Sequence, residues 1–212
     1  SAVPEREKLA AYSQIDAERL AKQYGLQGAS IPNNSAAPTH ISKESLVTSH
    51  RLRKKWGHYL SGVIYYEGEW YWGIDRLHHL EARLNALGLS KQAPSAKLSE
   101  RRPLFFTPQY QSLGHVPEAT SIDFFFSLRS PYSAISCAKL FPWAKEHGVK
   151  INLRYVLPMV MRGVPATREK GMYIFTDAAR EARSAGVPFG NFYDPIGEPA
   201  RRCYSLYPWA CE

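Results

Sequence analysis

Cysteine is scarce in this chain. The three residues Cys137, Cys203 and Cys211 form no Cys-x-x-Cys pair, and their odd number leaves one over in any disulfide scheme. That usage argues against a secreted disulfide framework and suits a reducing compartment. No apolar run approaches the roughly 20 residues needed to cross a bilayer, and residues 1–10 hold no apolar leader core. The expectation is a soluble, cytoplasmic protein. There is no repeat period, no low-complexity tract and no glycine-rich phosphate loop. His78-His79 lies outside any HExxH pattern, and adjacent helix side chains point apart, so no metal site is expected.

What is present is ample apolar material. Hydrophobic residues make up 44% and aromatics 13%, enough for a sizeable core in one large or two small domains. Lys and Arg outnumber Asp and Glu by 27 to 19, for a net charge of +8. The densest basic cluster, Arg51, Arg53, Lys54 and Lys55, falls where cations complement a helix C-terminus. A solvated last turn accounts for it, so nucleic-acid binding is not expected. The positive balance is compatible with an anionic small molecule but does not identify one.

Punctuation along the chain predicts its elements. Asp16 is a candidate cap for a short helix over 17–24, ended by Gly25, and 28–40 reads as a loop. A second helix is expected over 43–56, with Leu46, Leu52 and Trp56 as candidate buried positions. Residues 63–72 read as two β-rich arms around a Glu67-Gly68 turn. Asp75 can cap a helix that carries Leu77, Leu80, Leu84 and Leu87 on one face and stops at Gly88. The segment 90–120, with Pro94, Pro103, Pro108 and Pro117, reads as a linker. Strand 122–126, a helix over about 132–147 that Pro142 should kink, and strand 151–157 make a βαβ unit. Helical segments follow near 169–184, stopped by Gly186, and near 199–210.

The most informative stretch is Ile122-Asp123-Phe124-Phe125-Phe126-Ser127-Leu128-Arg129-Ser130-Pro131-Tyr132-Ser133. An apolar strand ends in a loop that delivers Ser130 to a helix start. Serine is a favoured N-cap, and Pro131 suits the first helical position. A helix N-terminus offers unpaired N–H groups and partial positive charge, which attract anions, thiolates among them.

Ser130-Pro131-Tyr132-Ser133 is followed by Leu157-Pro158, then Lys170-Gly171-Met172-Tyr173, Asp177 and Arg180, then Gly186-Val187-Pro188-Phe189. This series resembles the kappa-class glutathione transferases and 2-hydroxychromene-2-carboxylate isomerases, a branch of the DsbA-like thioredoxin superfamily. Gly68-Glu69-Trp70-Tyr71-Trp72-Gly73-Ile74-Asp75-Arg76-Leu77 resembles the same family's closing hairpin and helix. The likeness spans about 121–208 and, less fully, 45–89. It implies an α/β fold, a thioredoxin-like mixed sheet with a helical insertion domain. The family halves stand here in swapped order: 1–89 like the C-terminal half, 90–120 a linker, 121–212 like the N-terminal half. A tandem parent, a permuted domain, or two chains exchanging halves would each produce that order.

The resemblance further implies glutathione as cofactor and Ser130 as the catalytic residue, its hydroxyl donating to the glutathione sulfur. Pro131, Tyr132, Leu157 and Pro158 would line the cofactor, and Asp75 and Arg76 would take its γ-glutamyl end. Arg162 and Lys170 would meet the carboxylate of a small aromatic or unsaturated substrate. With serine at both positions of the usual Cys-x-x-Cys, the site can hold a thiolate but form no disulfide. Gly62 stands where the family has a cis-proline, so a non-catalytic thioredoxin-like binding module is the alternative. Neither half closes a sheet alone, so the expected strand order is 151–157, 122–126, 63–66, 69–72, within one chain or between two. A homodimer, or pairing with the missing halves, follows as the partner expectation.

Overall fold

The computed structural model describes residues 6–23, 25, 42–89, 91 and 120–210. The expected loop at 28–40, nearly all of the expected linker at 90–120, and Cys211 lie outside them. The described residues fall into two units. One runs to Gly57 and includes Gly163–Pro165; the other covers His58–Arg162 and the chain from Ala166.

The first unit carries helices α1 (Arg6–Gln23) and α2 (Lys43–Lys55). Helix α1 begins well before Asp16, which sits inside it rather than capping it. The helix formers Glu7, Lys8, Leu9, Ala10 and Ala11 extend it upstream. Helix α2 starts on Ser42, whose Oγ accepts from the Ser45 N–H at 3.1 Å, and ends on Arg53, Lys54 and Lys55 as expected. Leu46, Leu52 and Trp56 are exposed, contrary to expectation. Lys, Arg, Ser and His surround them, leaving too narrow an apolar stripe for a buried face.

The second unit is mixed α/β, with two small sheets. Strands β1 (Val63–Tyr66) and β2 (Glu69–Trp72) form an antiparallel hairpin in the register Val63↔Trp72 to Tyr66↔Glu69. Glu67 and Gly68 both take positive φ, 46° and 85°, the primed-turn conformation whose twist matches that of the arms. A 3-10 turn (Ile74–Arg76) leads into α3 (Leu77–Ala86). Gly88 closes α3 with a Schellman pair: Gly88 N–H to Asn85 O and Leu89 N–H to Leu84 O, both 3.0 Å. Asp75 does not cap this helix. Its carboxylate accepts from Arg76 Nη1 at 2.6 Å instead.

Strands β3 (Ser121–Phe126) and β4 (Lys150–Tyr155) pair in parallel around α4 (Pro131–Glu146), from Ser121↔Lys150 to Phe126↔Tyr155. The expected βαβ unit is present. Alternation along β3 turns Ile122, Phe124 and Phe126 inward and leaves Phe125 exposed. Pro142 lies inside α4, which continues through it. After a 3-10 turn (Met159–Arg162) come α5 (Arg168–Ser184), α6 (Glu198–Ser205) and α7 (Tyr207–Ala210), the last two divided at Leu206. Tyr204 on α6 is buried, and its hydroxyl accepts from Leu128 N–H at 3.0 Å and donates to Val156 O at 2.9 Å. One side chain thus fastens both loops at the C-terminal edge of the parallel pair.

The hairpin does not join that pair within the chain: β1–β2 and β3–β4 are separate sheets. The expected four-strand order therefore fails for a single chain. Helix α5 meets the hairpin segment through side chains, a contact that strand patterning cannot foresee. No described helix is long and apolar enough to cross a membrane.

Candidate functional site

Ser130 caps α4 as its sequence setting predicts. Its φ and ψ of −92° and 114° are extended, and its Oγ accepts from the Ser133 N–H at 3.3 Å. Ser133 has a different task. Its Oγ accepts from the Ser127 N–H at 3.2 Å, while Ser130 N–H bonds Ser127 O at 3.0 Å, so the loop is held from both ends. Ser130 is half-buried and keeps its O–H as a donor. Arg129 pairs with Asp194.

Tyr132, two residues on, reaches into a buried ionic cluster around Asp177. That carboxylate is 1% exposed and accepts from Tyr132 Oη at 2.7 Å, Arg180 Nη2 at 2.8 Å and Tyr173 Oη at 3.3 Å. Arg76 holds it with Nε and Nη2, each at 3.0 Å. Burial alone would raise the Asp177 pKa, but the hydrogen bonds from Arg76, Tyr132 and Arg180 outweigh it and hold the pKa at about 2. Burial first, then the hydrogen bond to Asp177 and its charge, push the Tyr132 hydroxyl well above the usual range. Tyr132 stays protonated and cannot serve as a base near neutral pH.

The cluster extends in both directions. Arg76 Nη1 donates to Asp75, and its Nε lies 3.4 Å from Glu181 Oε1, which also meets His79 Nε2 at 2.7 Å. Arg180 donates to Trp70 O at 3.1 Å and lies over the Tyr71 ring, 4.4 Å from its centroid. Tyr71 is 1% exposed, so the hairpin is anchored by an aromatic ring under a guanidinium. Gly73 has φ 73°, and a Cβ there would come within 3.0 Å of Asp75 Oδ1, so the tight turn into Asp75 requires glycine.

The predicted site residues thus divide. Ser130, Pro131 and Tyr132 share one helix start, and Tyr132 connects through Asp177 to Arg76 and Asp75. Asp75 presents a side chain 56% exposed. Arg76 directs its N–H groups to carboxylates of the chain itself and is 14% exposed. Pro158 is fully buried. Leu157 is half-buried, and its carbonyl accepts from Arg162 Nε at 3.0 Å. Lys170 Nζ turns to Met159 Sδ at 3.6 Å and lies 6.0 Å from the Tyr59 ring centroid. Arg162 is exposed.

There is no cis peptide among the described residues, and Gly62 has φ 71°. Half-buried Cys137 has its thiol pKa raised by burial, which suits a packing role.

Sequence reasoning assigned no role to His58, His79 or Glu181. His58 is 2% exposed and packs against Tyr59, Trp70 and Tyr173, at 5.1, 4.9 and 4.8 Å between centroids. A signal for the cluster did exist: Tyr173, Asp177 and Glu181 recur at i, i+4, i+8, so they share one face of α5. Two carboxylates on the face that also buries Ala178 and Ala182 require cations, which Arg180 supplies from α5 itself and Arg76 from elsewhere in the fold. No family model, curated protein or solved structure matches this chain.

Proposed function

We propose that the Ser130 junction binds the thiolate of glutathione and that the protein is a glutathione-dependent isomerase or transferase of thioredoxin-like architecture. Its substrate would be a small aromatic or unsaturated carboxylate. One observation carries the reading: a half-buried serine hydroxyl, with its proton free to donate, sits at the N-terminus of a 16-residue helix. A hydroxyl donor and a helix N-terminus both favour a thiolate over a thiol. Asp75, largely exposed, suits the ammonium of the γ-glutamyl end; Arg76 acts through it as a positioning residue. Glutathione, when bound, supplies a sulfur nucleophile that adds reversibly to an unsaturated carbonyl compound and so permits bond rotation.

Ser130→Ala removes the donor and also the cap, at a stability cost of about 1 kcal/mol. Ser133→Ala disturbs the same loop but leaves the Ser130 hydroxyl. Calorimetry with glutathione should detect binding in the wild type and Ser133→Ala, and lose it in Ser130→Ala. No heat at millimolar glutathione with the folded wild type would sink the reading.

A second reading, a binding module without turnover, is favoured by the separation of the hairpin from the parallel strands. Turnover of an unsaturated carboxylate that vanishes in Ser130→Ala and persists in Ser133→Ala would remove it.

A further inference from the structure

We infer that His78, His79 and Glu181 form a binding site for a divalent transition-metal ion of the zinc type, independent of the Ser130 junction. The first turn of α3 supplies the two imidazoles and the buried face of α5 supplies the carboxylate. One ligand atom from each residue lies within 4.8 Å of the other two. The imidazoles do not point apart, as adjacent helical side chains were expected to. Their ring centroids are 3.9 Å apart, with the ring planes tilted by 38°.

Zinc held tetrahedrally by bonds of about 2.0–2.2 Å keeps its ligand atoms about 3.3–3.6 Å apart. The His79 Nε2 to Glu181 Oε1 distance of 2.7 Å is shorter than that, and the outer limit of 4.8 Å is longer. The two distances bracket the required spacing, so ion binding would take side-chain adjustments of about 1 Å. The donor set selects the ion class. Two imidazoles and one carboxylate suit zinc and its neighbours, whereas magnesium and calcium demand oxygen ligands. Three protein ligands leave a fourth position for water or another ligand.

Arg76 shapes the site from behind. Its Nε lies 3.4 Å from Glu181 Oε1 while the guanidinium is bound to Asp177, so it orients the carboxylate and moderates the affinity. None of the three ligands hydrogen-bonds Asp177, whose partners are Arg76, Tyr132, Tyr173 and Arg180.

The test uses the full chain, without glutathione, titrated with Co2+ as a visible reporter and with Zn2+ by calorimetry. The expected result is one equivalent bound, with the intense absorption of low-coordinate cobalt. Glu181→Gln and His78→Gln should each weaken binding by more than the roughly 10- to 100-fold that loss of an outer-shell partner costs. Zn2+ should raise the melting temperature of the wild type but not of either variant. Circular dichroism checks that each metal-free variant folds. If Glu181→Gln does not, His78→Gln decides alone. Absence of stoichiometric binding to the wild type overturns the proposal. So does binding that persists unchanged in a folded variant, which would put the ion elsewhere.

Discussion

Asp177 illustrates how a single buried carboxylate is made to pay its way in free energy. Arg76, Arg180 and Tyr132 surround it, and at 1% exposure it cannot exchange them for water. Asp177→Asn keeps the shape but leaves two guanidinium groups facing a neutral amide. We expect a loss of about 3–5 kcal/mol, measured by chemical denaturation. The wild type carries a related pH signature. Its Asp177 pKa is lowered from 3.8 to about 2 on folding, so its contribution is complete above about pH 4 and disappears as pH falls toward 2. That contribution is worth about 2 kcal/mol, and the acid-induced decline should be shallower in Asp177→Asn. The spacing on α5 hinted at the cluster, but its pairing with Arg76 was not legible. Asp177 and Arg180 stood out only as parts of a motif, because an ion pair across 101 positions leaves no local pattern.

At the scale of elements, local chemistry was a good guide wherever an element is defined by its own residues. The hairpin turn, the Ser130 cap, the parallel βαβ unit and the glycine stops at 88 and 186 all lie where turn and cap residues put them. Misreadings came where a neighbour decides. Asp75 has the right residue type for a cap, but Arg76 claims its oxygen first. Helix α2 has apolar positions at helical spacing, yet Leu46, Val47 and Leu52 are exposed. Pro142 offers a direct test of local cost. Lacking an N–H, it leaves the carbonyl of Ala138 without its usual helical partner, and its own side chain is exposed. Pro142→Ala should therefore stabilise the protein by about 1 kcal/mol, seen as a higher denaturation midpoint with an unchanged slope.

For the whole molecule, the informative fact is how the hairpin segment and the βαβ segment meet. The family resemblance implied a shared sheet, within one chain or between two; within the chain the segments meet through Arg76 and Arg180, bonded to Asp177 and to the Trp70 carbonyl. Side-chain bridges of this kind depend on the separate placement of both partners, which no window of sequence contains. They also have a kinetic consequence. Hairpin and βαβ unit are each built from near neighbours and can form early, whereas a bond spanning 101 positions must first close a long loop. Arg76→Ala should accordingly steepen the rate of unfolding while leaving the refolding limb of a stopped-flow chevron almost unmoved. The Asp177 cluster then acts as a latch: it adds little to the speed at which the chain finds its shape and much to the time it stays there.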